Sequence, residues 1–255
     1  MKKINVIIIG ILGLVSNHLK AQLSPPGLGK ADVVQWSALG IKQDINDKWQ
    51  SVTYTGWGNK SEHDRYNPLE KNAIWILNQE FYKKINDKWR YSFALSYRRQ
   101  NEFETNEFGD ETKDVKQEFR VYGRINYQIN LDKLKITPTF RQELRRFYTS
   151  DFKNDGDDWQ LRSRFRIQFA YKLDEEERHK ITASAESLFS TKYDIEKEDW
   201  SEFDYNESRF TLYYSYSPKN IPAQFNIGYM NNLVGNHNPY SVNYFAFDVI
   251  LTNIF

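Results

Sequence analysis

Apolar and polar residues alternate with a period of two through most of this chain, the spacing of a β-strand whose two faces meet different surroundings. From Gln160 to Leu173, the residues Leu161, Phe165, Ile167, Phe169, Tyr171 and Leu173 share one face, and Arg162, Arg164, Arg166, Gln168 and Lys172 share the other. A charged side chain facing hydrocarbon costs roughly 2–4 kcal/mol at the bilayer midplane, so the apolar face is expected outward and the arginines inward. Eleven segments of this kind follow one another: Val33 to Gln43, Gln50 to Asn59, Asn72 to Lys83, Trp89 to Arg99, Val115 to Ile129, Leu134 to Tyr148, Trp159 to Leu173, Lys180 to Thr191, Tyr205 to Ser217, Ala223 to Val234 and Ser241 to Phe255. Short turns at Asn46-Asp47, Asn86-Asp87, Leu131-Asp132, 174–179 and 218–222 alternate with longer polar connections at 60–71, 101–114, 149–158, 191–204 and 235–240. The pattern predicts an all-β protein: one antiparallel up-and-down transmembrane barrel of about 12 strands (range about 10–12), with short periplasmic turns and longer outer loops.

The two ends fit this placement. The last segment carries Phe245, Phe247, Val249, Leu251 and the terminal Phe255 on one parity, the signature of a final membrane strand and the segment through which barrel-assembly machinery would take up the chain. At the other end Lys2 and Lys3 precede an apolar stretch from Val6 to Val15 and a small-residue exit at Ala21, which describes a cleaved secretory signal over residues 1–21 and export to the bacterial outer membrane. An odd segment count leaves the mature N-terminus on the outer side unless residues 22–32 cross first. Pro25-Pro26-Gly27 argues against a strand there, because proline withholds a ladder donor, so this segment is expected to thread the lumen or lie along its wall, with the barrel itself at residues 33–255.

Hairpin registers can be expected from the same pattern. The repeat Ile45-Asn46-Asp47-Lys48-Trp49 and Ile85-Asn86-Asp87-Lys88-Trp89 is turn chemistry, because Asn and Asp tolerate the backbone angles that tight hairpins demand. A two-residue turn at Leu131-Asp132 sets Phe119 opposite Leu144, Tyr127 opposite Ile136, Arg120 opposite Glu143 and Glu118 opposite Arg145, pairing apolar with apolar and cation with anion. About Asn46-Asp47, Ile41 faces Val52 and Leu39 faces Tyr54. The second hairpin, with Gln79 and Glu80 adjacent, leaves two- and three-residue turns equally open.

Parity assigns the lumen Arg90, Arg98, Arg120, Arg124, Arg141, Arg145, Arg162, Arg164, Arg166 and Arg209, against Glu80, Glu118, Glu143, Glu186 and Asp248. Two readings of that interior follow. In the first, Arg and Glu fill a narrow bore through forked hydrogen bonds, and the barrel is a non-enzymatic structural or assembly component. In the second, arginines form a track for small acidic solutes, and the barrel is a monomeric, weakly anion-selective channel.

Composition changes this picture little. A mean hydropathy of −0.75 suits a barrel, where only alternate residues meet lipid, and 17 Tyr, 17 Phe and 7 Trp supply interfacial anchors. The net charge of +1 gives no footprint for nucleic acid, and the absence of cysteine removes disulfides and a lipid anchor. A lipase or protease would need His close to a nucleophile or an aspartate; His18, His63, His179 and His237 all fall outside the segments, and His63-Asp64 is the one adjacent pair. The stretch Asp151 to Asp158 opens like a calcium loop, but Lys153 stands at a ligand position and Arg162 where the closing Glu belongs, so it reads as an acidic surface loop. Neither cofactor nor metal is expected.

The Trp49 and Trp89 turns, the strand Thr139-Phe140-Arg141-Gln142-Glu143-Leu144-Arg145, the following Arg162-Ser163-Arg164-Phe165-Arg166 and the late Gly228-Tyr229-Met230 resemble an uncharacterised outer-membrane barrel family, domain of unknown function 2490. The resemblance runs from about Trp36 to Phe255. It implies a β-barrel in the outer membrane of a Gram-negative bacterium and carries over no catalytic residue.

Overall fold

In the computed structural model of this chain, residues 27–28, 30–62, 65–105, 111–195 and 197–255 are described. The expected signal segment and His63-Asp64 lie outside them. The elements are β1 (Val33–Asp44), β2 (Trp49–Lys60), β3 (Lys71–Lys84), β4 (Trp89–Thr105), β5 (Glu111–Tyr127), β6 (Ile129–Leu131), β7 (Leu134–Tyr148), β8 (Asn154–Lys172), β9 (His179–Asp194), β10 (Asp199–Trp200), β11 (Asp204–Tyr216), β12 (Ala223–Val234) and β13 (Tyr240–Thr252). Two are short: β6 continues β5 beyond Gln128, and β10 pairs with the tail of β9. The other eleven close into a ring, each antiparallel to its chain neighbour, except that β1 and β13 meet in parallel from Val33↔Asn243 to Lys42↔Thr252. Eleven lies within the expected range of strand number, and a parallel seam is how an odd ring closes.

The registers depart from the sequence reading in two hairpins. Between β1 and β2 the loop holds three residues, Asn46-Asp47-Lys48, because Asn46 Oδ1 accepts from the backbone N–H of Lys48 (3.0 Å) and of Trp49 (2.9 Å). Ile41 therefore lies opposite Thr53, Leu39 opposite Thr55, and Val52 turns into the barrel beside Lys42. Asn86 repeats this chemistry toward Lys88 and Trp89 at 2.9 and 2.8 Å, which selects the three-residue alternative for the second hairpin. At the third, the tip is Asp132-Lys133, with Asp132 at a positive φ of 32°. The pairing slips by two: Phe119 meets Arg146, Arg120 meets Arg145, Tyr122 meets Glu143 and Ile136 meets Ile129. A slip of two preserves the faces, so the charged groups still meet, but on diagonals.

The long connection expected at 101–114 is largely ladder, since Asn101↔Val115 continues to Thr105↔Glu111. At the C-terminus the last strand stops at Thr252, and Asn253 takes a positive φ of 50° while its Nδ2 donates to Asp44 Oδ2 at 2.9 Å. Phe255, expected to close the strand, therefore lies beyond it and is exposed.

Alternation holds around the ring. Phe93, Leu95, Phe165, Phe169, Phe210, Leu212, Phe245 and Phe247 are exposed on the outside, whereas Arg164 is buried. The bore is divided lengthwise. On the side of β1–β3 and β11–β13 an apolar cluster of Trp36, Ile74, Tyr213, Met230 and Tyr244 fills it, with Lys42, Glu80, Glu207, Arg209 and Asp248 as the inward charges of these strands. Here two glycines let rings lie flat on the wall: a Cβ at Gly56 would overlap the Trp36 ring, and one at Gly228 the Tyr213 ring. On the side of β4–β9 the bore is charged.

Candidate functional site

The charged half begins from strand geometry. Inward residues two apart on one strand, and diagonal neighbours on the next, bring long guanidinium arms within reach of a common carboxylate. Glu118 on β5 receives Arg145 Nε and Nη2 from β7 at 2.8 and 2.6 Å, a bidentate pair. Arg120 binds the same carboxylate through Nε at 2.8 Å and Nη2 at 2.6 Å, and Arg98 Nη1 stands 4.0 Å away. Glu143 on β7, fully buried, holds Arg141 at 2.6 Å and Arg164 at 2.9 Å, with Arg120 at 3.6 Å. Arg164 reaches on to Glu186 of β9 at 2.8 Å. Carboxylates and guanidiniums thus form one continuous chain of ion pairs across β4, β5, β7, β8 and β9.

A second group lies nearer the short-turn rim. Glu80 accepts from Ser92 Oγ at 2.6 Å and Tyr122 Oη at 2.8 Å, and pairs with Arg124 at 3.0 Å. The Arg141 guanidinium lies over the Tyr122 ring, 3.5 Å from its centroid, which ties the second group to the first. Pairing and hydrogen bonding of this kind offset the cost of burying these charges.

Ten arginines predicted inward are placed inward, but they are not equivalent. Arg98, Arg120, Arg124, Arg141, Arg145 and Arg164 join the network. Arg166 has no carboxylate within ion-pair distance among the described residues, and Arg162 has only Glu207, at 3.8 Å. Arg209 pairs with Glu207 at 2.6 Å. Arg90 is buried toward the short-turn rim. Asp248 is fully buried against the apolar half, beside Trp36.

Two features escaped the sequence reading. Glu207 shares the parity of Arg209 two residues on, a signal that was present. The apolar half of the bore was signalled by β1, where Val34, Trp36, Ala38 and Gly40 put no charge on the inward face until Lys42.

Of the segment 22–32 expected in the lumen, residues 22–26 and 29 lie outside the described residues, and Gly27 and Leu28 lie in this interior. Leu28 is buried, its N–H donating to Tyr244 Oη at 3.0 Å, and the Gly27 carbonyl accepts from Arg98 Nη2 at 2.8 Å. At the opposite rim His179 contacts Tyr214 Oη at 2.6 Å. No group of three or more metal-ligating side chains occurs among the described residues. The connection expected at 149–158 is a turn of 149–153, since β8 begins at Asn154, and in it Asp151 is held by Thr149 Oγ1 and by Lys153 Nζ, both at 2.6 Å. Of the final-strand residues, Phe245 and Phe247 are exposed outward and Val249 and Leu251 half-buried on the same face.

A family model described as a protein of unknown function (DUF2490) matches residues 35–243, which takes in both halves of the bore and nearly all of the ring. No curated protein matches the chain.

Proposed function

We propose that this chain, which belongs to the DUF2490 family of proteins of unknown function, is an outer-membrane barrel whose bore is sealed by its own side chains and whose role is structural or in assembly, not catalytic. One observation carries the reading: Glu118 and Glu143, exposed by 3% and 0%, are each shared among three guanidiniums, one from the carboxylate's own strand and two from other strands. A solute would have to break several buried pairs to pass. The apolar half adds Trp36, Tyr213 and Tyr244 as bulk, and an outward belt of Phe, Leu and Trp supplies the surface that hydrocarbon requires. The carboxylates of the bore face guanidiniums and hydroxyls, not a histidine-activated nucleophile, which supports a non-enzymatic role.

The competing reading is the anion-selective channel. The surplus of inward arginines favours it, and Arg162 and Arg166 are the least neutralised of them. Recording from the purified barrel in planar bilayers separates the two. A sealed bore gives no steady conductance. Steady openings with reversal potentials favouring anions, lost when Arg162 and Arg166 are replaced by Gln, would overturn the sealed reading and establish the channel. Fractionation of cells producing the full chain tests the location, the outer-membrane fraction being expected to hold it.

A further inference from the structure

At the long-loop rim the bore opens into a cavity of about 430 Å³, within the size range of small-molecule sites. Gly27 and the Glu118–Arg145 pair are among the residues that line it. Five basic and three acidic side chains line it. Glu118 is already held by Arg145 and Arg120, and Glu207 by Arg209 at 2.6 Å and by Asn232 Nδ2 at 2.8 Å.

That leaves Arg162. Its guanidinium lines the cavity, its nearest carboxylate is Glu207 at 3.8 Å, and no hydrogen bond to any of its nitrogens occurs among the described residues. Such a planar fork matches a carboxylate in a bidentate pair, and a desolvated cation without one is costly. A second group points the same way with opposite polarity: Asn232, 1% exposed, lines the cavity with an Oδ1 that has no partner among the described residues. This oxygen can only accept, so it suits a hydroxyl. A donor fork and an acceptor in one cavity, neither hydrogen-bonded among the described residues, call for a ligand carrying both an anion and an alcohol.

We propose that this vestibule binds a small hydroxylated carboxylate of the size of a sugar acid, with Arg162 holding the carboxylate and Asn232 accepting from a hydroxyl. The site asks nothing of conduction, since it can fill whether or not the bore beneath it passes ions, and the bilayer recording tests that separately. Calorimetric titration of the full barrel in detergent, with glucuronate, glucose and inorganic phosphate as probes, decides the matter. Glucuronate is expected to bind saturably at one site and at least tenfold more tightly than glucose or phosphate. Arg162→Gln should weaken glucuronate at least tenfold, Arg162→Lys by less, and Asn232→Leu several-fold. Absence of saturable glucuronate heat, equal binding of glucose or of phosphate, or an unchanged affinity in whichever Arg162 variant folds would each overturn the proposal.

Discussion

Glu143 shows how much rests on single side chains in this bore. It is fully buried among Arg120, Arg141 and Arg164. Removing its charge takes from Arg141 its one carboxylate partner among the described residues, while Arg120 keeps Glu118 and Arg164 keeps Glu186, and breaking a buried pair costs about 3–5 kcal/mol. Glu143→Gln should therefore lower the unfolding free energy read from a urea titration of the refolded barrel by an amount of that order, whereas Glu175→Gln, on an exposed turn, should leave it unchanged. The glycines make the complementary point. Gly56 and Gly228 are occupied by the Trp36 and Tyr213 rings at the place where a Cβ would stand. Gly228→Ala forces an overpacked core, which costs about 1–3 kcal/mol, and the same urea titration reads it. Gly123, where an added Cβ would stand 3.6 Å from the Ser92 carbonyl oxygen, should tolerate Ala with a smaller loss.

Among the elements, the hairpins at the short-turn rim are governed by local polar chemistry. In the β8–β9 turn the Asp174 carboxylate caps the backbone, accepting from His179 N–H at 2.8 Å and Arg178 N–H at 3.2 Å. These donors, His179 first, hold its pKa below the usual carboxylate value. The carboxylate form is favoured by folding, so the cap's contribution is complete above the ordinary carboxylate pKa of about 4 and is lost as pH falls through the depressed value. Hydrogen exchange of the Arg178 and His179 amides should accelerate over that window beyond its intrinsic pH trend, and Asp174→Asn should weaken the pH dependence. The turns also mark the limit of what sequence could reveal here. Alternation in β8 and β13 located strands and faces, because a misplaced charge on the outer surface is expensive over every residue. Loop length was less legible: whether Asn46 closes two or three residues depends on its Oδ1 reaching Trp49 N–H, a contact of the folded turn. At Leu131-Asp132, cation opposite anion was a plausible register that arginine's reach renders unnecessary, since Arg145 finds Glu118 from a diagonal position. The charged network was legible as a set of inward residues, but its partners were not. The vestibule was missed because Glu207 and Asn232 come from β11 and β12, far in sequence from Arg162.

For the whole molecule the deciding feature is the parallel closure of β1 on β13. The chain has no cysteine, so a pair introduced at Ser37 and Phe247, directly opposite across that seam, reports it without background. Oxidation should yield an internally bridged species with altered migration on unheated gels, since directly paired Cα atoms lie within disulfide reach. A twelfth strand between them would leave both thiols free. Because β1 and β13 advance in the same direction, the first residue of the ring sits at the opposite opening from its last. In a ring of even number those two positions would adjoin, and a short tether could fuse them into a new order of strands. Here a tether must run the height of the wall, roughly 40 Å for a twelve-residue strand. Such a tether would have to pass through an interior already occupied by Leu28, Trp36 and Tyr244, so cyclic rearrangements of this sequence should misassemble where those of even barrels succeed.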